Sequence, residues 1–89
     1  MRNPFDPKKN AINIARHGVS LEAADSLEWD AMIAKQDARK NYGEVRMVGY
    51  APIGQRLFCV VYVDRADGRR IISLRKANIR EVKDYESEA

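Results

Sequence analysis

The run Leu57-Phe58-Cys59-Val60-Val61-Tyr62-Val63 restricts the fold more than any other part of this chain. It is too short for a buried helix. It is rich in β-branched and aromatic residues, and it is apolar at both parities. Successive side chains of a strand point to opposite faces, so a strand of this kind needs cover on both sides. It therefore predicts an interior strand, over Arg56 to Val63, in a sheet with material packed on both faces.

The neighbouring segments supply partners. Val45 to Tyr50 reads as a strand, and Ala51 to Gln55, with Pro52 and Gly54, as a turn. Asp64 to Gly68 reads as a second turn and Arg69 to Arg75 as the next strand. A weaker strand is expected over Asp30 to Lys35, around Met32 and Ile33, followed by a loop through "QDARKNYGE". Strands joined by short turns give an antiparallel meander of three to four strands.

Helices flank this block. Asp6-Pro7 is a start signal, because Asp caps free N–H groups and Pro needs no donor at the first helical position. Gly18 is the matching stop. The helix between them has an apolar stripe of Ala11, Ile14 and Ala15, widened by Ile12. Ser20 opens a second helix, over about residues 21–28, with Leu21, Ala24 and Leu27 on one face. Asn78, with Glu81 three residues on, forms a capping box for a final helix whose stripe is Ile79, Val82 and either Tyr85 or Glu86. The expected fold is α+β: two N-terminal helices, an antiparallel sheet and a C-terminal helix, in one domain over residues 1–89.

Composition narrows the function. Hydrophobic content of 45% and charged content of 33% exclude a disordered chain. No apolar run approaches the ~20 residues of a membrane span, and the polar start MRNPFDPKKN is unlike a signal peptide. The lone Cys59 excludes an internal disulfide, and no Cys/His cluster is spaced for a metal. No cofactor and no membrane contact are expected, and the expected compartment is the cytoplasm.

The net charge is +3. Residues 56–83 carry Arg56, Arg65, Arg69, Arg70, Arg75, Lys76, Arg80 and Lys83 against three carboxylates, and Arg2, Lys8, Lys9 and Arg16 form a second basic block. Such blocks suit either a polyanion or a solvated surface.

Three separated segments then resemble the BrnT family of ribonuclease toxins from type II toxin–antitoxin modules. In "FDPKKNAINIARHGVSLEAA", Phe5, Asp6, Pro7, Lys9, Asn13, Arg16, His17, Gly18, Val19, Ser20, Glu22 and Ala24 fit the family's opening. "GEVRMVGY" contributes Arg46 and Gly49, and "GQRLFCVVYVDR" contributes Arg56, Val61, Tyr62 and Arg65. "RRIISLRKANIREVKDYE" contributes Ile71, Ile72, Ser73, Arg75, Lys76, Ala77, Glu81 and Tyr85. Members usually carry Trp where this chain has Phe5, which offers a base a smaller stacking face.

The resemblance implies a RelE-like fold and RNA cleavage; with no Cys/His or carboxylate cluster spaced for a metal, the expected enzyme is a metal-independent endoribonuclease that inhibits translation. The resemblance further implies neutralisation in a hetero-oligomer by a BrnA-type antitoxin. That partner is expected to carry a ribbon-helix-helix part, through which alone the complex would reach operator DNA.

Cleavage of RNA without a metal needs a proton taken from the 2′-hydroxyl, charge balanced on the phosphorane, and a proton given to the leaving 5′-oxygen. An imidazole ordinarily titrates near 6.5, which suits either transfer, and His17 is the chain's one histidine. Its other reading is a cation at a helix C-terminus. Arg75, Arg56 and Lys9 join it as catalytic candidates; Lys76, Phe5, Arg46 and Tyr62 are candidate RNA contacts. Arg75 is a phosphate ligand or the ion-pair partner of Glu81, Lys9 a site residue or a snorkelling side chain, Tyr62 a site residue or core. Pairing of the two strands would bring Arg56 and Arg75 to flank one phosphate. Regular alternation would put Ile72 and Leu74 together in the core and Arg69, Ile71, Ser73 and Arg75 on the other face. A non-catalytic RNA-binding or antitoxin-binding subunit is the alternative that the same basic surface supports.

Overall fold

In the computed structural model the interior strand is β3, Arg56–Arg65, and it stands second from one edge of a four-stranded antiparallel sheet. The other strands are β1 (Ile33–Gln36), β2 (Met47–Ile53) and β4 (Gly68–Lys76), in the order β1-β2-β3-β4. The structure describes residues 3–38, 43–66 and 68–88. Arg2, Asp67 and the middle of the expected loop, residues 39–42, lie outside them.

The first strand lies three residues later than its expected start. β2 runs on to Ile53, where a turn was expected over residues 51–55, and the turn shrinks to Gly54 (φ +60°) and Gln55. Two residues explain the extension. Ala51 is fully buried on the core face. The Pro52 carbonyl accepts from the Glu28 N–H at 3.0 Å, so its peptide groups point away from β3, where the missing proline donor costs no ladder bond.

One face of the sheet carries the main core: Ala51, Phe58, Val60, Tyr62, Ile71 and Leu74 packed against Leu21, Ala24 and Leu27. The expected alternation along β4 does not hold. Val61 pairs with Ser73 but Tyr62 with Ile71, so Ile72 is an extra residue in a bulge. Ile71 and Leu74 are therefore both fully buried in the core, and Ile72 is only partly covered. Burying a large aliphatic side chain is worth about 1.5–3 kcal/mol. A second buried aliphatic outweighs one interrupted rung of the ladder.

The α-helix α1, Pro7–His17, starts and stops as its sequence predicts. Lys8 N–H donates to Asp6 Oδ1 at 2.9 Å, and Gly18, at φ +70°, donates to the Ile14 carbonyl. Its orientation differs from expectation. The buried residue is Asn13, 4% exposed, whereas Ile12 and Ile14 are 58% and 46% exposed.

Hydrogen bonding decides this orientation. Asn13 Nδ2 donates to the Leu74 carbonyl (2.7 Å) and the Val19 carbonyl (2.9 Å), and its Oδ1 accepts from Leu74 N–H (3.1 Å). A side-chain amide has the donor and acceptor of a peptide, so Asn13 serves β4 as a one-residue neighbouring strand. Each buried peptide group left unsatisfied would cost about 1–3 kcal/mol. That outweighs two partly covered isoleucines. Asn10 assists, its Oδ1 accepting from Leu21 N–H at 2.7 Å. Further along the same edge, Ile71 N–H donates to the Pro4 carbonyl.

The expected second α-helix is instead a 3₁₀ helix, Leu21–Ser26, followed by a shorter one, Trp29–Ala31. Leu21, Ala24 and Leu27 are spaced by three, and 3₁₀ geometry, at three residues per turn, aligns such positions on one side. All three are buried.

The C-terminal helix α2, Ile79–Glu88, has the expected capping box: Glu81 N–H donates to Asn78 Oδ1 and Asn78 N–H to Glu81 Oε1. Its expected stripe is incomplete, since Ile79 is 76% exposed. Polar ties hold α2 instead, among them Tyr85 O–H to the Ala31 carbonyl at 2.7 Å.

Candidate functional site

The sheet face opposite the main core presents a row of three side chains. Register pairs Tyr50 with Cys59 and Cys59 with Arg75, so one residue from each of β2, β3 and β4 stands in line. Facing residues of antiparallel strands share a face. Glu81 descends onto this row from the first turn of α2. It accepts from Arg75 Nη1 and Nη2, each at 2.8 Å, and from Tyr50 O–H at 2.9 Å. Arg75 Nη1 also donates to the Lys76 carbonyl at 3.2 Å.

Electrostatics settle the protonation states. Bidentate hydrogen bonding to Arg75 holds the Glu81 carboxyl down at about 2, with help from Asn78 N–H and Tyr50 O–H and against the opposing effect of burial. Burial first, and then the bond to Glu81, pushes the Tyr50 phenol well above its ordinary range. The Arg75 guanidinium is held more firmly protonated by Glu81. Near neutral pH the cluster is a guanidinium and a carboxylate, with a phenol donating to the carboxylate. The Arg75 side chain remains 36% exposed against 15% for Glu81, so the cation is the member that solvent or a ligand reaches.

A cleft of about 350 Å³ opens beside this cluster, between α2 and β1–β2. Asp84 and Glu88 stand on its rim and Ile33, Val48 and Tyr85 line it. Its acidic rim disfavours phosphate on that side of Arg75. Among the described residues no group of three His, Cys, Asp or Glu side chains is placed to hold a metal, and no helix is long and apolar enough to cross a membrane.

The remaining sequence candidates are dispersed. Arg56 does not join Arg75. Phe58 pairs with Lys76 and Cys59 with Arg75, so Arg56, two residues before Phe58, shares a face with Lys76 and lies across the sheet from Arg75. The sequence reading brought the strand ends together correctly but not the faces. Arg56 and Lys76 are both exposed. His17 is exposed at the last turn of α1 and Lys9 is half-buried on the same helix.

Tyr62 is 5% exposed in the core. Its ring meets Trp29 edge-on at 5.3 Å, and the Arg69 guanidinium lies 4.4 Å from the Trp29 ring centre and 4.7 Å from that of Tyr62. Burial raises its phenol pKa. Phe5 packs against the core cluster and is bridged to Ile71. Arg46 is half-buried just ahead of β2, and its carbonyl accepts from Asp37 N–H at 2.7 Å. Tyr50 and Cys59 were missed as neighbours of Arg75. The period-two pattern of β2 and β3 carried the signal, once β2 was extended past Tyr50.

A four-stranded antiparallel sheet with 3₁₀ turns on one face, α1 along the β4 edge, and the row Tyr50, Cys59 and Arg75 beneath α2 on the other face defines a small α+β protein with an arginine–carboxylate pair at the end of a strand. The sequence profile described as "Ribonuclease toxin, BrnT, of type II toxin-antitoxin system" matches residues 5–81, and the chain belongs to this family. It is thus a ribonuclease toxin with a protein antitoxin as partner and RNA as target. No curated protein and no solved structure matches the chain significantly.

Proposed function

We propose that this toxin is a metal-independent endoribonuclease of RelE-like fold that inhibits translation in the cytoplasm. It is neutralised by a BrnA-type antitoxin whose ribbon-helix-helix part takes the complex to operator DNA. The observation that carries the reading is Arg75: a half-exposed guanidinium at the end of β4, held by a bidentate carboxylate in a chain of the BrnT family. Glu81 occupies the Nη1–Nη2 end of the fork. A phosphate enters along the Nε–Nη2 side, where Arg geometry matches two phosphate oxygens.

In this reading the 2′-oxygen attacks phosphorus, the bond to the 5′-oxygen breaks, and the products are a 2′,3′-cyclic phosphate and a 5′-hydroxyl. Arg75 balances the phosphorane charge while Glu81 keeps its plane fixed. His17 is assigned the proton exchange, which requires the bound RNA to bring the reacting oxygens within its hydrogen-bond reach. Lys9, Arg56, Lys76 and Arg46 guide the RNA backbone, and Tyr62 and Phe5 support the sheet from the core.

The test is cleavage of RNA by the purified toxin in excess chelator, with Arg75→Ala beside Arg80→Ala. Losing a charge stabiliser of the transition state costs about 10²- to 10³-fold, so the first variant should lose that much and the second little. Activity that vanishes with chelator and returns with a divalent ion refutes the metal-free step. Equal losses in both variants remove Arg75 from the site. RNA binding without any cleavage would establish the non-catalytic alternative.

A further inference from the structure

α1 is amphipathic, yet it turns its polar side to the protein. Asn13 and Asn10 fix its rotation through their bonds to Leu74, Val19 and Leu21. At about 100° per residue, the side opposite Asn13 carries Ala11 and Ala15 one turn apart, with Ile14 along one flank and Ile12 along the other. Ile12 and Ile14 are 58% and 46% exposed, and both alanines are exposed. Rolling the helix to bury the isoleucines would break all three Asn13 bonds and strand the Leu74 peptide groups. The exposure is therefore enforced by the fold.

The shape and charge of this face select an occupant. Two alanines between two isoleucines make a shallow groove with ridges, which accepts the side-chain row of another helix. α1 contains Lys8, Lys9, Arg16 and His17 and no carboxylate. Lys8 lies within the outward side, Arg16 follows Ile12 and His17 follows Ile14. A second copy packing α1 on α1 would bring these cations together. RNA has no use for a ridge of isoleucines.

We propose that the outward face of α1 is the docking surface for the antitoxin, which lays an amphipathic helix along Ala11, Ile12, Ile14 and Ala15 and sets its own Asp or Glu side chains against Lys8 and Arg16. The proposal rests on the toxin–antitoxin reading and names the surface that serves it.

The test measures affinity calorimetrically between the purified toxin and the antitoxin encoded beside it, for wild type and for Ile12→Glu with Ile14→Glu. Ile79→Glu, at a still more exposed position on α2, is the control. Anchor residues of an interface commonly carry a large share of its affinity. The double variant should lose at least about 100-fold while Ile79→Glu stays within about threefold, and RNA cleavage by the free variants should match wild type. Should the double variant fail the circular-dichroism check of folding, Ala15→Arg places a good helix former at an exposed position, and the same loss is expected.

Wild type that binds the antitoxin with variants that bind equally well overturns the docking surface alone. Wild type that does not bind the antitoxin overturns both the partnership and the surface. Free toxin that sediments as a dimer, and as a monomer once Ile12 and Ile14 are replaced, assigns the face to a second copy and refutes the antitoxin assignment. Loss of RNA cleavage with unchanged antitoxin binding assigns it to substrate and also refutes it.

Discussion

Glu81→Gln isolates the charge at the centre of the Arg75 cluster, because the glutamine oxygen can still accept the capping N–H of Asn78. The wild-type carboxyl sits at about 2 against an ordinary 4.5. Taken whole, that displacement corresponds to at most about 3 kcal/mol of stability near neutral pH. The Arg75 side chain is 36% exposed, so solvent screens the pair and leaves about 1–2 kcal/mol. The folded-state pKa is depressed, so this contribution is fully present above about pH 4.5 and is lost as pH falls from there towards 2.

Urea denaturation of wild type and Glu81→Gln from pH 7 to pH 2 reads the effect directly. The gap should be about 1–2 kcal/mol at pH 7, narrow below pH 4.5 and be nearly closed at pH 2. Adding Arg75→Met completes a double-mutant cycle that assigns the coupling to this pair. A gap that is independent of pH would refute the reasoning, because it would locate the loss in packing or capping and not in charge.

Two further substitutions test the scaffold. Asn13→Leu restores an apolar residue to the inward side of α1 but leaves both Leu74 peptide groups without their partner, so it should destabilise by about 2–4 kcal/mol in equilibrium denaturation; a neutral result would show that water replaces the amide. Gly49→Ala places a Cβ against the Met32 thioether and 3.3 Å from the Tyr62 ring, so it should cost about 1–3 kcal/mol by overpacking, with a near-UV circular-dichroism change as Met32 and the aromatic pair shift.

The features legible in the sequence were those whose physics is local. Asp6-Pro7 and Gly18 bounded α1, Asn78 with Glu81 began α2, and the doubly apolar β3 announced an interior strand. What escaped depends on partners distant in the chain. Asn13 is turned inward by a peptide group 61 residues away, and no period of apolar residues reports that. The bulge at Ile72 is a choice between two alternations that only the packed core decides. The site shared this division. Arg75 was singled out from its place at a strand end as a phosphate ligand, with an ion pair to Glu81 as its other reading, and the structure shows that ion pair. The faces of Arg56 and Arg75, by contrast, depended on a register set by Phe58 opposite Lys76.

The Asn13 amide and the Pro4 carbonyl also decide how this protein meets other strands. A sheet in solution has two open margins, and each is a template on which foreign chains can add. Here the chain's own beginning is clipped onto the β4 margin at Leu74 and Ile71. The other margin is β1, only four residues long. Strand-by-strand growth is thus blocked at one end and offered little to hold at the other. The amide that turns the isoleucines to solvent also covers the sheet margin at Leu74.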